Sequence, residues 1–480
     1  MKEIKKIIVV GGGSAGYMSA LTLQRKFDNL VVYESPNVPV IKVGESTTGG
    51  LRSFLHGVLG LDRVEFQKEV SVTTKLVARF DFGPDHTPWW DYSLGSALKF
   101  FIPSERLPVF YIHKSGKFDQ STINSVLFNE SIDVVRPDGH SGFGHGYHFD
   151  NETFIAYLKK VFVRRGGRIE YKTVKDAKTN EDGIEELIFD DSTTDTADLY
   201  IDCTGFKSLL LGNKLEVPFI DYSDRLLCNA ALVTSYKREG PPILGTVAEK
   251  MKYGWIWTID HNDKRMRGYV HCDKFVSEDE IRVELAEKIS VPHEEPRKVR
   301  FSSGHRVAAW EKNVIGIGNS FAFIEPMEAT ALHHSADQIV SLMDLLSLNP
   351  HISDRTRNIY NDMQNMMCED IREFIELHYI AATGLDTPFW HHFKDLEPTG
   401  TTRRVCEWYK NMGPQVLEDN RFANHIFRST DPFRWIGYFS VLMGCHYPTD
   451  WVNPTSDEEM IKWDENNEMM LKIAREKGWL

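Results

Sequence analysis

Ile4-Lys-Lys-Ile-Ile-Val-Val-Gly-Gly-Gly-Ser-Ala-Gly16 runs from apolar, β-branched residues straight into glycines. Residues 4–10 read as a short, buried parallel strand. Gly11, Gly13 and Gly16 then set a G-x-G-x-x-G spacing, residues 17–27 carry helical spacing, and residues 30–33 form a second strand ending in Glu34. Each part has a physical reason. Glycines let the backbone approach a pyrophosphate, and a helix N-terminus offers unbonded N–H groups and the positive end of its dipole. A carboxylate about 20 residues further on can accept hydrogen bonds from a ribose hydroxyl, and Glu34 is so placed. A glycine turn alone says little. Strand, turn, helix, second strand and terminal acid in that order point to a dinucleotide site.

Two distant segments bear on which dinucleotide. Asp198-Leu-Tyr-Ile-Asp-Cys-Thr-Gly205 is an apolar strand running into a small-residue turn, and Asn313-Val-Ile-Gly-Ile-Gly-Asn319 is a strand ending in a Gly-rich loop before a helix. An NAD domain is usually contiguous, so segments returning from such distances favour FAD, by analogy of layout. The loop Lys42-Val-Gly-Glu-Ser-Thr-Thr-Gly-Gly50 follows directly on the βαβ unit and suits close backbone contact with a ligand.

With 480 residues the chain can form two domains or one domain with an elaborated cap. A net charge of −13 argues against nucleic acid or an anionic membrane as partner. Six cysteines lie far apart without a C-x-x-C pair, the pattern of reduced thiols in a cytosolic protein. The first apolar run is too short for a signal-peptide core, and no later stretch reaches membrane-spanning length, so the expected location is the cytoplasm. The coarse order is βαβ, a strand-rich middle and a mostly helical last third.

The constellation resembles the flavin-dependent halogenases of the tryptophan-halogenase type. The resemblance is carried by Gly11-Gly-Gly-Ser-Ala-Gly16, Val43-Gly-Glu-Ser46, Thr74-Lys-Leu-Val-Ala-Arg-Phe80, Tyr147-His-Phe-Asp150, Gly254-Trp-Ile-Trp-Thr-Ile259 and Phe323-Ile-Glu-Pro-Met-Glu-Ala-Thr330. It covers about residues 1–395. The W-x-W-x-I and E-P-x-E-x-T segments are far more specific than the glycine fingerprint.

The resemblance implies an α/β fold: an FAD-binding, Rossmann-like, monooxygenase-type fold with a mixed sheet. A mostly helical C-terminal substrate-binding region completes it, with boundaries at 1–350 and 351–480. The implied FAD contacts are Gly11, Gly12, Gly13, Ser14, Ala15, Gly16 and Glu34. Val43, Gly44, Glu45 and Ser46 follow, then Val174, Asn319 and Leu332. A separate flavin reductase supplies reduced FAD, since no second nucleotide fingerprint would bind NAD(P)H. Reduced FAD, oxygen and a halide (chloride, bromide or iodide) make hypohalous acid, which passes through an internal tunnel to Lys75 beside a small aromatic substrate. Lys75 polarises the acid or, if neutral, forms a haloamine. Glu328 stabilises charge on the ring and helps remove its proton. Taken alone, Lys75 would read as a solvated strand lysine and Glu328 as a first-turn helix acid. The halide rests on the backbone N–H groups of Thr330 and Ala331 at a helix start. Trp255 and Trp257 alternate on a strand and face one side. They shield the flavin in the family; from spacing alone they are equally a pair of core tryptophans. The competing enzyme reading is an FAD-dependent aromatic hydroxylase, and a different class is a flavin-binding protein that has lost its chemistry. A homo-oligomer is left open.

The family's closing proline is Asp260 here, and the Tyr/Glu-rich segment that clamps free tryptophan is absent from residues 421–430. An indole, a phenol or a larger aromatic is therefore the expected substrate. Trp390, Trp408, Trp435 and Trp451 read as helix-packing residues. No metal is expected: no cysteine or acid cluster completes a set around His140, His145 and His148, and His333 and His334 point about 100° apart on a helix.

Overall fold

The computed structural model describes residues 2–39, 44–94, 108–120, 122–136, 138–261, 263–414, 425–428 and 431–476. Its chain forms two compact units, each from three stretches. Met1–Val72, Phe149–Asp224 and Phe301–Glu369 build the first; Thr73–His148, Arg225–Arg300 and Asp370–Leu480 build the second. The boundary expected at residue 350 falls inside the first unit's last stretch.

The first unit holds a six-stranded sheet in the order Trp310–Glu311, Val314–Gly316, Leu199–Asp202, Ile7–Val10, Leu30–Glu34, Arg168–Tyr171. All neighbours are parallel except the first pair. The strand Ile7–Val10 is buried along its length, as a central parallel strand covered on both faces must be. It begins at Ile7 and not at Ile4 because the backbone N–H groups of Lys5 and Lys6 both donate to Asp198 Oδ2, 3.0 Å away. The helix Ser14–Leu23 links it to Leu30–Glu34, so the βαβ unit is present, with its helix starting and ending earlier than the spacing predicts. The two distant segments do return: Leu199–Asp202 pairs directly with Ile7–Val10, and Val314–Gly316 lies one strand further out. Residues 150–166 are scaffold. Asp150 caps the helix Asn151–Arg164 by accepting from the backbone of Glu152 and Thr153, and Phe154, Leu158 and Phe162 are buried.

The second unit is organised on a seven-stranded sheet: Arg297–Arg300, Ala230–Lys237, Lys264–His271, Gly254–His261, Gly245–Met251, Val77–Asp81, Trp89–Ser93. Only Gly245–Met251 and Val77–Asp81 run parallel. The helix Glu278–Ile289, closed by a Ser277–Glu280 capping box, lays Ile281, Leu285 and Ile289 on Leu232, Ile256 and Tyr269. The helix Pro388–Lys394 and the start of Arg434–Gly444 pack through aromatic pairs, with Phe374 stacked on Phe433 at 3.9 Å and Tyr379 on Phe393 at 4.4 Å. Trp390 is a packing residue whose Nε1 donates to the Met251 carbonyl at 2.9 Å. Among the described residues no helix is long and apolar enough to cross a membrane. The fold is mixed α/β, as expected.

Candidate functional site

In the first unit the site is a backbone cradle. A Cβ at Gly11, where φ is +118°, would collide with the Cys203 carbonyl, and one at Gly16 would collide with the carbonyl of Gly11. Nothing lies within 4 Å of a Cβ at Gly13. Gly13 is the N-cap of the helix Ser14–Leu23, and no side chain caps that end. Tight packing behind the turn and open space in front of an uncapped helix start fit a dinucleotide pyrophosphate. The turn at Cys203 is held by the buried Asp202 carboxylate, which accepts from Thr204 N and Oγ1 at 3.0 and 2.6 Å and from Leu210 N and Leu211 N at 2.8 and 2.9 Å.

Other residues expected to contact FAD lie in the same unit. The Glu34 side chain lies over Gly12, pinned by the Tyr17 hydroxyl and by Lys159 Nζ at 2.8 Å. Ser14 Oγ donates to Asn151 Oδ1 at 2.6 Å. The turn Gly318–Ser320, which carries Asn319, sits against Ala15, since a Cβ on Gly318 would be 3.1 Å from the Ala15 methyl. Val174 follows Thr173, whose hydroxyl is 2.8 Å from Ser35 Oγ, just beyond Glu34. Gly44–Ser46 is a short strand, and burial together with the charge of Asp150 pushes Glu45 up to about 7. Val43 lies outside the described residues. Thr48 then caps the helix Gly49–Ser53 and places its Oγ1 2.9 Å from His333 Nδ1, docking this loop on the helix Ala331–Leu348.

That helix is the expected halide site. The turn Pro326–Glu328 is followed by Ala329 in the left-handed conformation (φ +56°), then by Thr330 and Ala331, with no side chain capping the helix start. Leu332 is buried just inside it. Glu328 is buried and sits in the turn ahead of the helix, not in its first turn. His333 and His334 diverge: the first faces Thr48, the second lies 3.9 Å from Cys368 Sγ, and burial among other histidines pushes His334 down to about 4.

In the second unit the candidate groups are side chains carried on strands. The strand Thr73–Lys75 pairs antiparallel with Gly146–Asp150, and the chain then changes sheets at Leu76, whose N–H donates to the Leu244 carbonyl at 2.7 Å. Lys75 is 2 % exposed, so the reading as a solvated lysine does not hold. His148 is fully buried, with Nε2 2.9 Å from Thr246 Oγ1. Trp255 and Trp257 share one face of Gly254–His261, and Trp257 lies over Gly268, where a Cβ would strike its ring. Asp260 does not end the strand. Its buried carboxylate forms a two-pronged pair with Arg265 at 2.8 Å and accepts from Ile243 N at 2.9 Å. Among the described residues, no group of three or more could hold a metal ion.

A family model described as tryptophan halogenase matches residues 6–459. The chain belongs to the tryptophan halogenase family. It is 29 % identical over 455 residues to the tryptophan 7-halogenase RebH of Lentzea aerocolonigenes, covering 85 % of this chain and 82 % of that one. To the tryptophan 6-halogenase ThaL of Streptomyces albogriseolus it is 26 % identical over 458 residues, again 85 % and 82 %. Among solved structures, MibH, a lanthipeptide tryptophan 5-halogenase, superposes with a TM-score of 0.86 at 29 % identity, covering 97 % of this chain and 89 % of that one. Xcc4156, a flavin-dependent halogenase from Xanthomonas campestris, gives 0.87 at 25 % identity, with 99 % and 96 % covered. The protein is thus an enzyme of the flavin-dependent halogenase class.

Within this halogenase the structure gathers Gly11 to Gly16, Glu34, Val174, Gly44 to Ser46, Asn319, Leu332, Thr330, Ala331 and Glu328 into the first unit, and Lys75, Trp255 and Trp257 into the second. Sequence reasoning singled out none of Asp202, Lys159 and Tyr17, and it carried His148 within the Tyr147-His-Phe-Asp150 motif and weighed it as a metal ligand. Asp202 had a local signal, an acid closing an apolar strand ahead of Thr204 and Gly205. Lys159 had none, because its pairing with Glu34 joins segments distant in sequence, and the motif around His148 gave no hint of its contact with Thr246.

Proposed function

We propose that this protein uses FAD, oxygen and a halide to halogenate an aromatic substrate of indole or phenol type through Lys75. The observation that carries this reading is the burial of Lys75, since a lysine is withdrawn from water only at a cost that paired or reactive groups offset. Reduced FAD, delivered by a separate flavin reductase, supplies with oxygen and halide the hypohalous acid. The glycine turn, Ser14, Glu34, Asn319 and the 44–46 strand hold the dinucleotide. The backbone N–H groups of Thr330 and Ala331 hold chloride, bromide or iodide at the positive end of a helix.

Lys75 then receives the halogen, and Glu328 stabilises the ring as it acquires charge and helps take its proton. The tryptophan halogenases among its relatives support an aromatic substrate. The missing Tyr/Glu cluster in residues 421–430 favours one other than free tryptophan. We assign cofactor binding to residues 1–350 and substrate binding to the helical region 351–480. None of the six buried cysteines is disulfide-bonded, which fits a reducing compartment such as the cytoplasm.

Incubation with chemically reduced FAD, oxygen, bromide and an indole tests the reading. A product heavier by one bromine is expected. Hydroxylated indole without bromination, whatever the halide, would instead make the enzyme an aromatic monooxygenase.

A further inference from the structure

We infer that His148 is the proton acceptor for Lys75, taking through Nδ1 the proton that Nζ sheds when it receives the halogen. The inference rests on the halogenase reading above and assigns His148 an acid–base role toward the lysine.

The placement follows from strand register. Thr73 pairs with His148 and Lys75 with Gly146. Directly paired residues share a face, and so do residues two apart, which makes Lys75 and His148 diagonal neighbours on one face. The residue opposite Lys75 is Gly146, which contributes no side chain of its own to that face. Lys75 and His148 are 2 % and 0 % exposed. His148 Nε2 is committed to Thr246 Oγ1 at 2.9 Å, whereas Nδ1 is buried without a hydrogen-bond partner. A proton on Nε2, donated to the threonine hydroxyl, leaves the Nδ1 lone pair as an acceptor. An unpartnered buried acceptor lowers stability and calls for a reason. Burial, then the charges of Lys75 and His261, hold the His148 imidazolium well below the ordinary histidine range, so the ring is neutral at neutral pH. Lys75 and His261 are the charged or titratable groups that act on it; His261 itself has Nε2 2.7 Å from Met266 Sδ.

The step balances. In its neutral form, reached once the ammonium has released one proton to solvent, the Lys75 amine attacks the halogen of hypohalous acid, an N–halogen bond forms, and the O–halogen bond breaks with its electron pair leaving as hydroxide. The proton lost by nitrogen passes through His148 Nδ1 to that hydroxide and gives water. When the haloamine delivers its halogen to the ring, the ring proton replaces it and the amine is restored.

Rates of indole bromination across pH 6–9 for the wild type, Lys75→Ala, His148→Gln and Thr246→Val test the inference. FAD titration and thermal melting check folding. His148→Gln is expected to fall about 100-fold at pH 7, the lower range for losing a positioned acid–base group. Its rate should climb with pH and recover in part with added imidazole. Thr246→Val, which releases Nε2 but keeps the ring, should fall less and show the same upward slope. Wild-type rates in these two variants, or losses that neither pH nor imidazole changes, overturn the role of His148. Should Lys75→Ala be silent while His148→Gln behaves as wild type, only this inference fails. Should Lys75→Ala brominate at the wild-type rate, the lysine reading fails with it.

Discussion

In the first unit the groups proposed to meet a ligand are mostly backbone atoms: the Gly11–Gly16 turn, the start of Ser14–Leu23 and the start of Ala331–Leu348. In the second they are side chains held in a buried sheet, Lys75 and His148 above all. Backbone sites are sensitive to any added carbon and largely indifferent to charge. Side-chain sites are the reverse, since the role proposed for Lys75 depends on its amine and not on the strand's backbone. Glu328, proposed as a reactive side chain, cuts across this division within the backbone-built unit.

The largest expected effect is at Lys75. Lys75→Ala should reduce aromatic halogenation to background while leaving FAD binding intact, read by mass spectrometry of products and by FAD titration. Weakened FAD binding in that variant would break the separation of roles. Glu328→Gln should slow product formation about 10²–10³-fold, in the range for losing one electrostatic or acid–base group. An unchanged rate would remove Glu328 from the chemistry.

The glycines provide a sharper contrast. Gly16→Ala forces a methyl into the Gly11 carbonyl and should cost about 1–3 kcal/mol of stability, the usual penalty for overpacking, seen as a lower melting temperature. Gly13→Ala meets only open space, so the melting temperature should hold while FAD affinity falls about tenfold, or ~1.4 kcal/mol. Equal FAD affinity in Gly13→Ala would mean that the pyrophosphate does not lie against this face.

The smallest effect is at Glu45. Its carboxyl is raised to about 7 by burial and by Asp150, so the folded chain holds this proton more tightly than the unfolded chain. The resulting stability is present below the ordinary glutamate range and is lost as pH rises towards about 7. Glu45→Gln should flatten that part of the profile in cofactor-free protein, with its largest relative gain in melting temperature above pH 7.

Much of the first unit was legible because its signals are local. Gly11, Gly13 and Gly16 follow a strand and open a helix within a few residues, and the segments ending at Gly205 and Asn319 carry their own strand-and-turn pattern. Lys159, which pins Glu34, gave no such signal, since the pairing depends on one face of the helix Asn151–Arg164. In the second unit the W-x-W-x-I strand was readable, but the fate of its last residues was not. Asp260 looks like a strand breaker, and only its pairing with Arg265 on the neighbouring strand explains why the strand continues.

From its residues alone the chain determined a βαβ dinucleotide site, an α/β class and, through two specific motifs, a halogenase family. These rest on short-range spacing, which the backbone converts directly into strands, turns and helix ends. The tertiary structure decided that Lys75 is buried, that Gly146 faces it and that His148 stands beside it with a nitrogen unpartnered. Those facts depend on which distant strands pair and in what register, and a register is chosen by the packing of the whole sheet.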